Sequence, residues 1–356
     1  MKVYMIGDVH IGLHNNELDK WLEIHKQYFY DFFIPTVKKT YQQGDKIAIL
    51  GDLFDNRTFL NLKVINFALD LFDRFEQEGF EIHIIGGNHD YYNDYDAENS
   101  SLSMLRRYSN VTLYLKPRIV NWNDTNILMM PWDSIPNQLS IIKKAVGKSE
   151  LIFCHSELRG VRTGVKNVLA HGLSVADFVM FPRIYASHIH IRQTLNNITY
   201  LGSPFQMDRN DKGDQKCLLI LDLEKNTEEY IPNMLSPQYR TIEILEDKDI
   251  SKLDSLILED TNDFIDIVID NDIIVKNHVL KHRLEELQTV KHISKMDYVD
   301  KNVIVEDIKD IELDDIGVTV STEQLLRDYI EAQNDDDKSK MIEIYDDTLK
   351  KLSYEK

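Results

Sequence analysis

The chain has 356 residues, of which 43% are hydrophobic and 28% are charged, and its formal net charge is −19. These values are ordinary for a globular protein of more than one domain, and its 2 cysteines are too few for a disulfide framework. No apolar run approaches the roughly 18 residues of a transmembrane helix, and the strand pattern directly after Met1 leaves no room for a secretion signal, so we expect a cytoplasmic protein.

The first part of the chain alternates between strand and helix patterns. Short apolar runs predict the strands, and apolar residues at helical spacing predict the helices between them. Pro131 ends the last strand of this part, because proline cannot donate to a sheet ladder. The predicted strands are 2–6, 46–50, 81–86, 111–115 and the run NILMMPW.

Three helices are predicted between these strands. A helix from about 18 to 43 contains Pro35, at which we expect a kink or break. A second helix covers about 58–78, and a short third helix covers 101–108. The buried stripe of the second helix is predicted to be Leu62, Ile65, Leu69 and Phe72.

The later part of the chain becomes rich in strands. This order, alternating first and β-rich afterwards, predicts an α/β fold with two packed mixed β-sheets flanked by helices. A helix is expected over 136–146, followed by strands at 150–154, 177–181, 184–187, 193–201, 217–223 and 227–231.

Pro232 and Pro237 mark a hinge at the end of this first domain, which we place at 1–238. A small α+β capping domain is predicted over 239–312. The final segment, 313–356, contains two amphipathic helices that cannot bury both of their faces alone. We expect them to dock another protein, with packing back onto this chain as the alternative.

Five polar clusters stand at the ends of predicted strands, where an open α/β fold places its chemistry. They supply Asp, Asn and His, the ligands of divalent ions such as Mn²⁺, Fe²⁺ or Zn²⁺. So many ligands exceed the need of one ion and suit two ions about 3.5–4 Å apart, which hydrolyse phosphate esters. The clusters are Asp8-Val9-His10, Gly51-Asp52-Leu53-Phe54-Asp55, Gly87-Asn88-His89-Asp90, Cys154-His155 and His188-Ile189-His190.

Each cluster alone has a simpler interpretation. Asp52 could cap a helix or close a turn, and a lone histidine such as His155 is usually structural. Asp90 is expected to fix the turn of its own cluster. The full set, in which every cluster follows a strand, is what predicts a centre with two metal ions.

The order and residues of these clusters resemble the calcineurin-like metallophosphoesterases. Within that family the chain resembles the nuclease subunits of SbcCD-type double-strand-break repair complexes, in particular those of tailed phages. The resemblance covers residues 1–240, and beyond them only the layout fits. Ser187 stands where the family often has glycine. The specific matches are Gly51 to Asp55, Gly87 to Asp90, Ser187 to His190 and Leu201 to Gln206.

The resemblance implies two divalent ions, Mn²⁺ by preference with Mg²⁺ as the alternative, which activate water for in-line attack on a phosphodiester. It implies that His89 stabilises the phosphate or protonates the leaving oxygen. Asp55 would orient His89 or a ligating histidine, with helix capping as its alternative role. The implied ligands are Asp8, His10 and His190 for one ion and Asn88, His155 and His188 for the other, with Asp52 bridging.

The resemblance also implies a DNA nuclease that acts as an exonuclease on duplex ends and as an endonuclease on single strands, in recombination and repair. It implies a homodimer bound to an SbcC-like coiled-coil ATPase, in the host cytoplasm if the chain is phage-encoded. Residues 241–356 carry 31 acidic and 15 basic side chains, so we expect weak DNA binding without a more basic partner. Candidate phosphate contacts, which could instead be solvated, are Arg57, Arg159, Arg162 and Lys166.

Two other functions stay open from the sequence. One is a phosphomonoesterase or protein phosphatase on the same scaffold, and the other is a metal-bearing scaffold that only holds the ATPase. Protein phosphatases tend to have Gly-Asn-His-Glu, whereas this chain has Asp90, and they tend to have Asp-Arg-Gly where this chain has Asn56-Arg57-Thr58. A scaffold has no need of His89, which argues for an enzyme.

Overall fold

The computed structural model describes residues 1–93, 96–164, 167–253, 263–277, 280, 282–284 and 293–299. Strands of mostly buried apolar residues form its framework. In chain order they are β1 (Lys2–Ile6), β2 (Lys46–Ile49), β3 (Ile82–Ile85), β4 (Val111–Tyr114), β5 (Arg118–Trp122), β6 (Thr125–Met130), β7 (Leu151–His155), β8 (Arg183–Ser187), β9 (Gln193–Leu195), β10 (Ile198–Tyr200), β11 (Cys217–Asp222), β12 (Thr227–Pro232), β13 (Tyr239–Ile244), β14 (Phe264–Asp270) and β15 (Ile293–Val299).

Two six-stranded sheets form the body of the protein, and both are mixed. In the first, ordered β12-β11-β1-β2-β3-β4, the strands β1 to β4 run parallel and the other two are antiparallel additions. In the second, ordered β5-β6-β7-β8-β10-β9, four parallel strands lie between antiparallel edge strands. Parallel strands are buried on both faces, which explains their nearly continuous apolar sequences.

The two sheets pack face to face, and helices cover their outer faces. Met5 of the first sheet and Met129 of the second belong to the apolar cluster between them. Phe72, on a helix, belongs to the cluster outside the first sheet, and Ile142, on another helix, to the cluster outside the second. These four layers confirm the α/β fold with two mixed sheets flanked by helices.

The first helical segment differs from its prediction. Helices α1 (Leu18–Lys26) and α2 (Ile34–Lys38) are joined by a π-helical stretch, Gln27–Phe33. Proline lacks an N–H and its ring crowds the preceding turn, and the wider π turns before Pro35 accommodate both effects. The segment therefore passes Pro35 without a break, but its predicted continuation to residue 43 is wrong.

Helix α3 (Leu62–Gln77) begins later than predicted, because the side chain of Asn61 accepts a hydrogen bond from Lys63 N (2.9 Å) and caps it. Leu62, predicted to be buried, is 74% exposed. The sequence contains two overlapping apolar stripes at helical spacing, and the one richer in phenylalanine faces the sheet. The buried stripe is Val64, Phe67, Ala68, Leu71, Phe72 and Phe75. Of the predicted stripe, Phe72 is buried, Leu69 is partly buried against the same cluster, and Leu62 is exposed.

Several later elements also differ. A 3-10 helix at Val175–Phe178 replaces the strand predicted for 177–181. The single strand predicted for 193–201 is the hairpin of β9 and β10. Strand β5 escapes prediction, and it pairs with β6 through Asn123 and Asp124, whose positive φ angles suit a tight hairpin. Helix α4 (Ile135–Ala145) lies within a residue of its predicted bounds.

A third, smaller sheet contains β13, β14 and β15. It has its own apolar cluster, and α5 (Asn271–Lys276) packs on β14. Met1–Tyr298 form one compact unit, and the domain boundaries at 238 and 312 stay predictions. The helices predicted within 313–356 lie outside the described residues. Among the helices of the described ranges, none combines the length and the apolarity that crossing a bilayer requires.

Candidate metal centre

The strand-end clusters converge at the carboxyl edge of the two large sheets. The loop after β1 runs beside the loop after β2, where Asp8 N donates to Gly51 O (3.1 Å) and His10 N donates to Asp52 O (2.9 Å). Side-chain contacts connect these loops to the segments that follow β3, β7 and β8. The structure therefore brings together all the side chains that the sequence predicts as metal ligands.

Asp8, His10 and His190 form the first group, with one ligand atom from each lying within 4.8 Å of the others. The Nε2 atoms of His10 and His190 are 3.2 Å apart, so two nitrogens able to bind a cation face one point. Asp8 is held in place by its oxygens, which accept from Ser187 Oγ (2.7 Å) and from the backbone N–H of His188 (3.0 Å). Ser187, where the family often has glycine, thus supports a predicted ligand.

Asp52, His155 and His188 form the second group, again with ligand atoms within 4.8 Å. Asn88 Oδ1 lies 2.9 Å from both His155 Nε2 and His188 Nδ1. Asp52 Oδ2 is 3.4 Å from His155 Nε2 and 3.6 Å from His10 Nε2, so it lies between the two groups as a bridging ligand must. The predicted ligand sets are compatible with this geometry, and the ligand roles themselves stay predictions.

Backbone strain is concentrated at these residues. Asp8, His10, Asp52 and His188 all have positive φ, at 49°, 50°, 50° and 103°. Such conformations cost a non-glycine residue about 1–3 kcal/mol each and persist where the surroundings impose them, often at functional sites. The strain aims side chains from separate loops at one point.

Two glycines make room for the cluster. A Cβ on Gly87 would lie 2.2 Å from Asp52 Oδ1, and a Cβ on Gly51 would lie 2.3 Å from His155 Nδ1. Gly87 has an ordinary φ of −94°, which any residue can adopt. Space, rather than backbone freedom, is what requires glycine at Gly87.

The surroundings of His155 indicate that its position suits a cation. His155 Nδ1 donates to Leu50 O (2.8 Å) and its Nε2 faces Asn88 Oδ1, and both of these oxygens can only accept. Burial opposes charge on His155, but Asp52 and Asp8 outweigh it and raise its pKa to about 9. A proton is therefore held where a divalent cation would replace it. Buried carboxylates, an amide oxygen and imidazoles together fit two divalent ions.

Asp55 contacts two histidines in different ways. Its backbone oxygen accepts from His89 Nδ1 (2.6 Å), and its side-chain Oδ1 lies 3.3 Å from His10 Nδ1. Since a carbonyl can only accept, neutral His89 carries its proton on Nδ1 and leaves Nε2 for a substrate. His89 also lies close enough to His10 and Asp52 to be a ligand, which competes with its predicted role toward the substrate.

Asp90 fixes the loop that carries Asn88 and His89. Its carboxylate accepts from the backbone N–H groups of Gly87 (2.9 Å) and Phe54 (3.2 Å), which joins the second cluster to the third. Burial, aided by the charge of Asp52, raises the pKa of Asp90 to about 7. This contact pattern is the turn-fixing role expected for Asp90 from the sequence.

His188 has two neighbours that the sequence reasoning missed. The Trp132 ring stacks on its imidazole (centroids 4.9 Å apart, planes at 26°), and Glu157 Oε2 lies 3.7 Å from its Nε2. Trp132 follows the end of β6, and Glu157 comes two residues after His155. The strand-end rule, extended by a few residues, would have found both.

The predicted phosphate contacts are placed around the cluster rather than in it. Arg57 lines a cavity of about 660 Å³ formed partly by the loop after Asp55. Arg159 and Arg162 are exposed on the loop after β7, and Thr163 of that loop lines a small cavity beside two of the histidines. Lys166 lies outside the described residues. Contact of these side chains with DNA stays a prediction.

The chain is similar to a known family of phosphoesterases and to two viral proteins. A family model described as calcineurin-like phosphoesterase matches residues 1–269, which include all five clusters. Exonuclease subunit 1 of Enterobacteria phage T4 is 28% identical over 241 residues, which cover 65% of this chain and 68% of that protein. The putative phosphoesterase 078R of Invertebrate iridescent virus 3 is 24% identical over 216 residues, 58% of each chain.

A solved structure of an archaeal phosphodiesterase covers 65% of this chain and 100% of its own, with 14% identity and a TM-score of 0.33. A score of this size does not establish a common fold. The match to the family model and the two viral relatives are therefore the informative comparisons.

Proposed function

The chain belongs to the calcineurin-like phosphoesterase family, and we propose that within it this protein is the Mn²⁺-dependent DNA nuclease subunit of a complex for recombination and double-strand-break repair. The observation that carries the proposal is the convergence of Asp, Asn and His side chains from five strand ends on one buried cluster. Similarity to a phage exonuclease subunit supports a DNA phosphodiester as the substrate and membership of a complex.

The chain's own residues account for the metal requirement. Two divalent ions, when bound, supply charge neutralisation on the phosphate and a water that is nucleophilic near neutral pH. The mixture of imidazole nitrogen with carboxylate and amide oxygen favours Mn²⁺ over Mg²⁺, which prefers oxygen ligands. The residues that would hold the ions are Asp8, His10 and His190 on one side and Asn88, His155 and His188 on the other, with Asp52 between them.

His89 would act on the substrate. The hydrogen bond from its Nδ1 to the Asp55 carbonyl fixes the ring and leaves Nε2 as the nitrogen that gains or loses a proton. From that atom His89 would donate a hydrogen bond to the phosphate or a proton to the leaving oxygen. It is only partly buried, so a substrate can reach it.

The test compares substrates on one Mn²⁺-loaded preparation. We expect cleavage of end-labelled duplex DNA, of single-stranded DNA and of bis(p-nitrophenyl) phosphate, with little action on p-nitrophenyl phosphate or a phosphoserine peptide. Asp52→Asn serves as the control for contaminating nucleases. Hydrolysis confined to the monoesters would replace the nuclease by a phosphatase, and no hydrolysis with both ions bound would favour a metal-bearing scaffold.

The partners are part of the same proposal. A homodimer in the cytoplasm would bind an SbcC-like coiled-coil ATPase through the helices predicted for 313–356. Deletion of 321–356 is expected to abolish co-purification with that ATPase while metal-dependent cleavage continues. Loss of the isolated nuclease activity on this deletion would contradict a pure docking role.

A further inference from the structure

A cavity of about 660 Å³ lies between two segments that continue from the candidate metal centre along the chain. One wall is the loop from Asn56 to Leu60, which directly continues the cluster that ends at Asp55. The other wall includes Tyr92, three residues after His89, and the segment from Glu98 to Ser103. Both walls thus continue segments that carry groups of the predicted chemistry.

Two aromatic side chains in this cavity are open to solvent. Phe59 is 58% exposed and Tyr92 is 54% exposed, although aromatic rings are normally packed away from water. Arg57 and Thr58 line the same cavity, and the Thr58 hydroxyl donates to Asn56 Oδ1 (3.1 Å). Aromatic ring faces beside a guanidinium are the groups that bind a base together with its phosphate.

The loop that carries Phe59 is held in one shape. The side-chain oxygen of Asn56 accepts from the backbone N–H groups of Thr58 (3.0 Å) and Phe59 (3.0 Å). On the other wall, Tyr92 N donates to Asn99 O (2.9 Å). Both rings therefore extend from backbone that is already ordered, which lowers the entropy cost of binding.

The Glu98 carboxylate favours an uncharged ring beside it in the cavity. The Glu98 carboxylate lines the cavity and pairs with Lys116 (3.3 Å). The carboxylate would repel a second phosphate at that point, but it would not repel an uncharged base. Arg57 lines the cavity from the segment that follows Asp55.

We propose that this cavity binds an unpaired nucleobase of the strand being cleaved, packed against both Phe59 and Tyr92, with the adjoining phosphate directed from Arg57 toward His89. The inference rests on the proposed function. The volume of the cavity lies within the usual range for ligand sites of roughly 300–1,000 Å³. Stacking accepts every base, so the cavity would select unpaired over paired nucleotides rather than one sequence over another.

The test uses the full chain and a single-stranded oligonucleotide containing 2-aminopurine, whose fluorescence falls when it stacks. The wild type is expected to quench the probe, and Phe59→Ala and Tyr92→Ala each to bind it about tenfold more weakly with the quenching lost. Phe59→Tyr, which keeps a ring, should retain both. Leu62→Ala is the matched control, because Leu62, three residues after Phe59, is 74% exposed and is not among the residues that line the cavity.

A second measurement separates this inference from the proposed function. Cleavage is compared between a normal strand and one with an abasic analogue at each position in turn. Wild-type protein should show a higher KM at one abasic position, and Phe59→Ala should erase the difference. DNA cleavage that ignores every abasic position overturns the base site and leaves the nuclease intact. No DNA cleavage overturns the nuclease, and no quenching by the wild type overturns the base site in either case.

Discussion

His155 at the end of β7 and His83 inside β3 are both buried, but their surroundings are opposite. Burial opposes protonation of His155, yet Asp52 and Asp8 outweigh it and raise its pKa to about 9. At His83 burial prevails over the charge of Glu81 and lowers its pKa to about 4. The strand end therefore stores positive charge, and the strand interior excludes it.

This difference explains why a buried histidine alone says little about function. His83 hydrogen-bonds Tyr114 OH (2.8 Å) and Glu81 Oε1 (3.0 Å), and a neutral imidazole satisfies both contacts. His155 faces two oxygens that can only accept, so its site needs a charge that a proton or a metal ion can supply. A set of strand-end histidines with carboxylates is thus the signal of a cation site.

The largest expected effect concerns Asp52, whose charge raises the pKa of His155. Asp52→Asn removes the carboxylate that lies between His10 and His155, so we expect loss of bound Mn²⁺ and a fall of about 10⁴-fold in DNA cleavage. His83→Gln is the matched variant in the strand interior and should keep metal content and activity. Metal content is measured by mass spectrometry after desalting. Two retained ions in Asp52→Asn would exclude a bridging role for Asp52.

His89→Gln tests whether His89 takes part in the reaction or holds a metal ion. Its loss should lower DNA cleavage by about 10²–10³-fold, the range of a general acid, while Mn²⁺ content stays at the wild-type value. Cleavage and metal content are measured on the same preparation. Loss of an ion would instead make His89 a ligand beside His10 and Asp52, a geometry the structure also allows.

The strand ends that carry the candidate ligands could be predicted from the sequence, because each is a local pattern in which an apolar run stops at a polar cluster. The order of the predicted elements, alternating first and rich in strands afterwards, was also enough to predict two mixed sheets flanked by helices. The turn-fixing role of Asp90 could be predicted for the same reason, since its contacts lie in the turn it shares with Gly87 and in the neighbouring cluster. Local pattern therefore supplied most of the candidate site.

Contacts between distant segments were beyond this reasoning. Ser187 supports Asp8 across 179 positions, and Trp132 stacks on His188 from a different strand end. The buried face of α3 was misjudged because two apolar stripes share helical spacing, and only the sheet beneath decides which is covered. Strand β5 was missed because most of its residues are exposed on an edge.

A pH experiment on metal-free protein compares the two histidines directly. The raised pKa of His155 stabilises the fold below pH 6.5, and this stability is lost as pH rises toward 9. The lowered pKa of His83 does the reverse, since stability is lost as pH falls from 6.5 toward 4. Each slope should be about 1 kcal/mol per pH unit.

Urea unfolding at a series of pH values measures both slopes. His155→Gln should flatten the alkaline slope and His83→Gln the acid slope, each leaving the other unchanged. Mn²⁺ should also remove the alkaline slope, because the ion replaces the proton of His155. An alkaline slope that persists in His155→Gln would show that another group carries the charge.

The smallest expected effect concerns Glu157, which lies 3.7 Å from His188 Nε2, beyond ordinary hydrogen-bond length. At that separation Glu157 acts on His188 through its charge, so Glu157→Gln should weaken one Mn²⁺ site by about tenfold, the low end for a partner of a ligand. Glu76→Gln, at an exposed position on α3, is the control. Isothermal titration with Mn²⁺ gives both affinities. Complete loss of one ion would identify Glu157 as a ligand, and no change would leave Trp132 as the neighbour that orients His188.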